Sequence, residues 1–221
     1  MAVTNRNHIL SSLSRSDFKL LEPHLESVDL PVRKQLERRG KPIVSAYFLD
    51  SGFASVVADG GKRPIEIGII GREGMTGIPI IMGSDRNIHE VYMQVAGHGH
   101  CVSATALRRA IGKSPSLHRS MLRFANAFFE QTARTAVANG RSKMEERLAR
   151  WLLMAHDRAD ADELALTHEF VSMMLGAQRP GVTLAIQELE RAGIVGCKRG
   201  RIFILDRAAL EKLSNGTYVP P

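Results

Sequence analysis

Five side chains near the start of one predicted helix have the chemistry needed to read the edges of base pairs. They are Gln178, Arg179, Thr183, Leu184 and Gln187. In the major groove, Arg can bind guanine through two hydrogen bonds, Gln can bind adenine, and Thr can meet several acceptors. Gly181 removes bulk where such a helix would approach a duplex. The pattern predicts a helix that recognises double-stranded DNA.

Two short amphipathic helices must hold these side chains in place. They lie in the stretch "LTHEFVSMMLGAQRPGVTLAIQELERAGIV" and are separated by Gly176-Ala177. Thr167 is the predicted N-cap of the first helix. The second helix begins near Arg179, tolerates Pro180 in its first turn, and has an apolar stripe on its hidden side. The stripe consists of Val182, Ala185, Ile186 and Leu189.

A basic hairpin follows this helix pair. The stretch "GIVGCKRGRIFILD" predicts two strands with Lys198, Arg199 and Arg201 at the tip, where they could lie along phosphates. Together these features predict a winged helix-turn-helix. The alternative is that the helix pair only supports the fold, since many such pairs never touch DNA and a single surface arginine is often merely solvated.

The overall charge gives this prediction modest support. The 221 residues carry a net charge of +7 and the sequence pI is about 9.8. The excess lies mainly in residues 107–143, with eight Lys or Arg against one acidic residue, whereas residues 141–221 have twelve against eleven. A basic, soluble surface without a polyanionic partner explains the bulk charge equally well.

The first half of the chain predicts a β domain. Short apolar runs alternate with turn residues, and Asp59-Gly60-Gly61 predicts a hairpin turn. The stretch "EVYMQVAGHGHCVSA" predicts two more strands around Gly97 to Gly99. Strands of this length and spacing favour a jelly roll or barrel. Before them, "SRSDFKLLEPHL" predicts a short helix capped by Ser14 or Ser16.

A long helix is predicted after a shorter helix from Ser103 to Gly112. Ser114 is its N-cap and Pro115 its first residue. We expect it to end near Asn139-Gly140, so that about 26 residues would span about 39 Å. A seam at heptad spacing runs along it and would pair with a second copy of the chain; the alternative is packing against the chain's own β domain. The seam consists of Met121, Phe124 and Phe128, followed by Gln131, Thr135 and Ala138.

From about Asn7 to Leu213, this layout resembles the cyclic-AMP receptor protein/fumarate-nitrate regulator (Crp/Fnr) family of bacterial transcription factors. The resemblance implies an α+β chain with three parts: a β-roll sensor domain over 1–113, a dimerisation helix over 114–140, and a winged helix-turn-helix over 141–221. It also implies a homodimer that binds a pseudo-palindromic operator and meets RNA polymerase.

The resemblance carries over to individual positions of the helix-turn-helix. Arg179 matches the family's guanine-reading arginine, and Thr167 matches the threonine that holds a phosphate. Pro180 and Leu184 stand where the best-known members have Glu and Arg. Leu184 could at most touch a thymine methyl group, so the operator is expected to differ from theirs.

The sensor pocket of the family matches this chain less well. Gly71, Glu73 and Gly74 keep the glycine-rich character of a phosphate-binding stretch, in which backbone N–H groups could form an anion nest. His89 stands where cyclic-nucleotide-binding members have an arginine, and Glu90 follows it. A carboxylate there would repel a phosphate. Arg86 could substitute if the loop is shifted, but we expect a signal other than cyclic AMP.

Other sensor chemistries also lack their residues. Cys101 and Cys197 are too far apart for a metal or disulfide spacing, and the cysteine cluster of an iron–sulfur member is missing. The stretch "HGHC", His98 to Cys101, could suggest a metal site, but a turn between two strands is the favoured interpretation. No cofactor is expected, and the effector is left unidentified.

Three functions compete at this stage. The first is a homodimeric regulator in which a signal in the β-roll reorients the recognition helices. The second is a metal-dependent jelly-roll enzyme using His89, His98 and His100. The third is a binding module that only assembles. The chain start lacks the order of a signal peptide, and a cytoplasmic location is expected.

Overall fold

The computed structural model describes residues 6–59, 64–159 and 161–221. The chain divides into two compact units. Unit 1 comprises Met1–Val56 and Ile70–Phe129, and unit 2 comprises Val57–Ile69 and Glu130–Pro221. The three predicted domains were divided by expected function, whereas the two units are divided by the contacts between residues. The predicted domain boundaries therefore stay predictions.

The first part of the chain forms two sheets framed by short helices. One sheet has the strand order β1-β7-β3 and the other β2-β6-β4-β5, as expected for a β-roll with two layers. The strands are β1 (Glu26–Leu30), β2 (Gln35–Glu37), β3 (Ser45–Leu49), β4 (Phe53–Ala58), β5 (Ile65–Ile70), β6 (Glu90–Val95) and β7 (Gly97–Ser103). The helices are α1 (His8–Ser12), α2 (Arg15–Leu21), α3 (Ile78–Ile81) and α4 (Ala104–Lys113), with a 3-10 turn over Glu22–His24.

Several local predictions are confirmed here. Ser14 caps α2 by accepting a hydrogen bond from the backbone N–H of Asp17. The short helix predicted over Ser103 to Gly112 is present as α4, with Ser103 as its cap rather than its first residue. The predicted turn at Asp59-Gly60-Gly61 falls partly outside the described residues, because Gly60 and Gly61 are not among them.

The prediction of a turn at His98 to Cys101 is wrong. These residues lie inside β7, the central strand of its sheet, with Val28 opposite Gly99 on one side and Phe48 opposite His100 on the other. Glycine is rare within strands, so the pattern favoured a turn. Here a Cβ on Gly99 would lie 2.2 Å from the carbonyl oxygen of Phe48. The glycine is needed because a neighbouring backbone approaches too closely for a side chain.

The long helix α5 (Pro115–Arg141) begins as predicted and continues slightly beyond the predicted end. The Ser114 hydroxyl oxygen accepts a hydrogen bond from the N–H of Leu117 at 3.2 Å and donates to the Asp17 carboxylate at 2.5 Å. This pair ties the start of α5 to α2. Gly140 lies within the helix and does not form its cap.

Unit 2 contains the remaining helices and a small third sheet. The helices are α6 (Met144–His156), α7 (His168–Met174), α8 (Arg179–Arg191) and α9 (Arg207–Leu213). The strands are β8 (Glu163–Leu164), β9 (Val195–Lys198) and β10 (Arg201–Ile204), in the order β8-β10-β9. Helix α6 packs against both α8 and α9 and is buried along its whole second half, so it is the core of this unit.

None of the helices in the described parts of the chain has the length and apolar character needed to cross a membrane.

We predict that Gly74→Ala destabilises the protein by about 1–3 kcal/mol, the usual cost of overfilling a packed site. A Cβ on Gly74 would lie 2.1 Å from two ring atoms of Phe124, so α5 and the Gly74 backbone would have to separate. Urea unfolding measures the change. Gly112→Ala is the control, because Gly112 is helical with open space around it and should gain up to about 1 kcal/mol. Equal stability of the two variants would contradict the packing argument.

Candidate nucleic-acid interface

Helices α7 and α8 form a helix-turn-helix with the boundaries expected from the sequence. The Thr167 hydroxyl oxygen accepts a hydrogen bond from the N–H of Phe170 and so caps α7. The chain then turns at Gly176, whose φ of +57° lies in the left-handed region that favours glycine. Gln178 is extended and α8 begins at Arg179, with Pro180 in its first turn.

The two faces of α8 are divided as predicted. The apolar stripe Val182, Ala185, Ile186 and Leu189 is buried. On the opposite side, Gln178, Arg179 and Gln187 are exposed, and Leu184 is 58% exposed. Donors and acceptors at the start of this helix can therefore reach a ligand in solvent without repacking the core.

Thr183 departs from this pattern because it is half-buried. Its hydroxyl lies 3.3 Å from the His168 ring nitrogen Nδ1. His168 is the first residue of α7. The contact places the Thr183 hydroxyl beside the first turn of α7, and His168 is a neighbour of the candidate interface that the sequence did not identify. Its partner is fifteen positions away and no local pattern connects the two.

The wing closes with a two-residue turn. Arg199 and Gly200 both have positive φ values, 46° and 77°, which is the backbone of the tight turns that join strands of opposite direction. Lys198, Arg199 and Arg201 are exposed. A Cβ on Gly200 would lie 3.6 Å from the Thr167 methyl group, so the tip of the wing lies beside the start of α7.

The three basic side chains of the wing are not equivalent. The Arg201 guanidinium pairs with the Glu163 carboxylate on β8 at 2.6 Å. Arg201 would therefore have to divide its charge between the Glu163 carboxylate and a phosphate. In the residues that the structure describes, no carboxylate lies beside Lys198. Glu163 was not among the predicted site residues, because its pairing across β8 and β10 depends on the sheet register.

The predicted anion nest in the β-roll is wrong. The N–H of Gly71 donates to the Glu73 carboxylate at 3.0 Å, and the N–H of Gly74 donates to the carbonyl oxygen of Gly71 at 3.1 Å. The N–H of Gly77 donates to the Glu37 carboxylate at 2.6 Å. The backbone donors that were expected to hold an external anion are therefore bonded to the chain itself.

The carboxylate of Glu37 is buried at this place. Its second oxygen accepts a hydrogen bond from the Asn87 side chain at 2.7 Å. Burial raises the pKa of Glu37, and the hydrogen bonds from Gly77, Asn87 and Thr76 oppose that rise. Sequence analysis did not identify this residue, which follows a register shift between Gln35 and Glu37 in the pairing of β2 with β6.

The remaining predicted pocket residues, Arg86 and His89, flank Asn87 in sequence but have other contacts. Arg86 is exposed and donates to the carbonyl oxygen of Gly40 at 2.9 Å. His89 is half-buried, and burial together with the positive charge of Arg39 lowers its pKa. A lowered pKa keeps the ring neutral, which weakens it as a partner for a phosphate.

The two histidines of β7 each have a partner from the loop after β3. His98 Nδ1 lies 2.8 Å from the Ser51 hydroxyl, and His100 Nδ1 lies 3.1 Å from the Asp50 carboxylate. His98 is exposed and His100 is buried. Within residues 6–59, 64–159 and 161–221, no group of three His, Cys, Asp or Glu side chains is placed to hold a metal ion.

The predicted dimer seam on α5 needs a correction. Met121 is fully buried and Phe124 is 9% exposed, and both belong to the core of unit 1. Phe128 is half-buried, with its ring 6.4 Å from that of Phe124. Met121 and Phe124 have no surface to offer a second copy. The seam faces the chain's own β domain, which was the alternative interpretation.

A different face of α5 is open to solvent. It includes Leu122, Phe129 and Val137, which are 38%, 71% and 52% exposed. Ala133 and Ala136 lie on the same face and are also exposed. Leu122, Phe129 and Ala136 are seven residues apart, as in the seam of a two-stranded coiled coil. The sequence contained two candidate seams, and only packing against the β-roll distinguished them.

Comparison with known families identifies the C-terminal part of the chain. Residues 146–213 match the model of the Crp-like helix-turn-helix domain. A search among curated proteins found no match.

Solved structures with the same fold cover nearly the whole chain. A Crp/Fnr-family transcriptional regulator from Eubacterium rectale aligns with a TM-score of 0.74 at 19% identity, over 96% of this chain and all of that one. FixK2 from Bradyrhizobium japonicum has a TM-score of 0.73 at 18% identity, over 86% and 96%. A Crp-family regulator from Thermus thermophilus has 0.72 at 18%, over 88% and 100%. The predicted fold is confirmed, and residues 146–213 match the helix-turn-helix model of the family that the sequence resembles.

The wing provides a prediction about salt dependence. If Lys198 contacts a DNA phosphate, Lys198→Ala should reduce the slope of log K against log salt concentration by about 1. Arg201→Ala should reduce it less, because Glu163 already shares the charge of Arg201. Binding to a fixed duplex at several salt concentrations measures both slopes. Lys212→Ala, on α9 outside the motif, is the control and should leave the slope unchanged. Equal slopes for all three variants would contradict the wing assignment.

Proposed function

Since residues 146–213 are a Crp-like helix-turn-helix domain in a chain with the Crp/Fnr fold, we propose that the protein is a sequence-specific DNA-binding regulator of transcription that acts as a homodimer. The exposed start of α8 carries this proposal. A helix fits the major groove, and the first residues of a recognition helix contact the base edges.

The individual roles follow from the geometry of the motif. Arg179 would read guanine, and Gln178, Thr183 and Gln187 would supply further hydrogen bonds to base edges. Leu184 would contact a thymine methyl group. Thr167 and the basic wing tip lie together at the start of α7 and would hold phosphates. Phosphate contacts fix the register on the duplex, and base contacts choose the sequence.

Dimerisation places two such motifs on one DNA site. The exposed face of α5 offers Leu122, Phe129 and Val137 to a second copy. The two recognition helices would then reach major grooves about 34 Å apart on a two-fold-symmetric site. A regulator bound beside a promoter would meet RNA polymerase, and its place of action would be the cytoplasm, where the chromosome lies.

The signal that this protein receives is proposed to differ from cyclic AMP. A cyclic phosphate needs donors, and the Gly77 N–H is already bonded to Glu37. The Glu90 carboxylate accepts a hydrogen bond from the N–H of Arg39 at 3.1 Å and adds negative charge near the same stretch. The proposal includes no catalytic role. The His98 ring is hydrogen-bonded to the Ser51 hydroxyl, and the buried His100 ring lies 3.1 Å from the Asp50 carboxylate.

We predict that Arg179→Ala weakens binding to the selected site by about 1–3 kcal/mol and relaxes the sequence preference at one base pair of each half-site. The site is first found by selection from random duplex DNA, with and without cyclic AMP. Arg191→Ala is the control, because Arg191 is exposed at the other end of α8. Selection of a symmetric site without the nucleotide is expected. Selection only with cyclic AMP would overturn the pocket argument, and equal losses for both variants would overturn the role of Arg179.

The dimer interface makes a separate prediction. Phe129→Glu places a charge in the centre of the exposed face of α5, so the dimer should dissociate at micromolar concentration in analytical ultracentrifugation. Met82→Glu is the control, because Met82 is 68% exposed in unit 1 and does not lie on α5. A Phe129→Glu protein that sediments as a dimer would place the interface elsewhere.

A further inference from the structure

One strand of the β domain is packed into the DNA-binding unit. Residues 65–69 of β5 belong to unit 2, together with α6, α7 and α8, whereas Ile70 at the end of the same strand belongs to unit 1. We call residues 65–69 the β5 segment. Three contacts within unit 2 hold it.

The first contact joins Glu66 to Trp151 of α6. The Trp151 indole N–H donates to the Glu66 carboxylate at 2.6 Å, and the two residues are 4% and 3% exposed. The negative charge of Glu66 also acts on the buried Arg150, whose pKa burial lowers to about 10. A buried carboxylate between an indole donor and a guanidinium has little freedom to move, because leaving them would cost both interactions.

The second contact reaches the turn of the helix-turn-helix. A Cβ on Gly176 would lie 2.7 Å from the terminal methyl carbon of Ile65. Ile65 therefore lies against the backbone of the turn between α7 and α8. A shift of the β5 segment toward this turn must displace either the turn or the Ile65 side chain.

The third contact fixes the other end of the segment. The Gln131 side chain on α5 accepts a hydrogen bond from the N–H of Ile69 at 2.7 Å and donates to the carbonyl oxygen of Ile69 at 3.1 Å. The amide of Gln131 thus satisfies both backbone groups of one strand residue, as a neighbouring strand would do.

A small cavity lies beside Glu66 and Trp151, between Thr135 and Met174. Its volume is about 20 Å³, which has room for about one water molecule. This space is too small for a metabolite, so the surrounding charged residues serve the packing rather than a ligand.

We infer that the β5 segment and the helix-turn-helix move as one body, and that Ile65 and Glu66 set the position of the turn between α7 and α8 when the protein binds DNA. Both are positioning residues, which act through Gly176 and Trp151. The inference rests on the proposed function for its DNA readout.

The turn contact can be tested with a matched pair of glycines. Gly176 and Gly193 both have positive φ, +57° and +71°, but Gly193 has open space around it. Gly176→Ala and Gly193→Ala thus share the backbone strain, and only the first meets Ile65. Relative to Gly193→Ala, Gly176→Ala should weaken binding to the selected DNA about tenfold, and adding Ile65→Ala should restore most of that loss, as expected for residues that couple.

Equal effects of the two glycine substitutions, or no recovery in the Ile65→Ala double variant, would overturn the inference. A general loss of stability is separated from positioning by measuring the melting temperature of each variant beside its DNA affinity. A positioning role predicts that affinity follows the Ile65 contact even where two variants melt at the same temperature.

A second measurement needs no variant of the turn. Hydrogen exchange of wild-type protein should slow in residues 65–69 together with α8 when DNA binds. Slowing in α8 without a change in residues 65–69 would overturn the inference.

If wild-type protein binds no DNA, the proposed function fails. The inference is then judged by Glu66→Leu, which should speed exchange in α6 and shift the emission of Trp151, the single tryptophan of the chain. Glu66→Gln keeps a hydrogen-bond acceptor for the indole and should produce smaller changes in exchange and emission. Equal changes in Glu66→Leu and Glu66→Gln would overturn the inference.

Discussion

Helix α8 can hold Arg179 in solvent only while the opposite stripe from Val182 to Leu189 stays buried, and α6, α7 and β9 all pack against α8. A pair of helices this short has too little apolar area to be stable by itself. The packing of the rest of unit 2 keeps this stripe buried. Helix α6 is buried along its second half because α8 and α9 cover its sides, and Trp151 reaches β5. Phe170 of α7 lies 6.2 Å from the same indole.

The Trp151 indole also connects the helix-turn-helix to the β5 segment. Trp151 meets Phe170 through its ring and Glu66 through its N–H, so one side chain contacts both the helix-turn-helix and a strand. Helix α5 contributes in a similar way. Its buried face, with Met121 and Phe124, packs within unit 1, and its Gln131 holds Ile69 in unit 2. What these faces leave exposed, Leu122 and Phe129 above all, is the surface that we propose for a second copy.

The sequence predicted the features that depend on neighbours along the chain. Caps at Ser14, Ser114 and Thr167, the buried stripe of α8 and the basic wing all follow from local spacing, and the structure has them. The errors concern contacts between distant residues. Gly99 was taken for part of a turn because the approach of Phe48 is invisible in the sequence. The seam of α5 was assigned to a partner because periodicity identifies an apolar face but not what covers it. Glu37 and His168 were missed for the same reason.

The Glu37 carboxylate gives the β-roll an anion that is part of its own chain. A diffusing ligand occupies its site in proportion to its concentration, and the protein then reports the size of a metabolite pool. The Glu37 carboxylate belongs to the chain, so it is present in every copy of the protein at any concentration of ligand. The Gly77 donor that it holds is therefore occupied in every copy of the protein, and a diffusing anion could use this donor only by displacing Glu37.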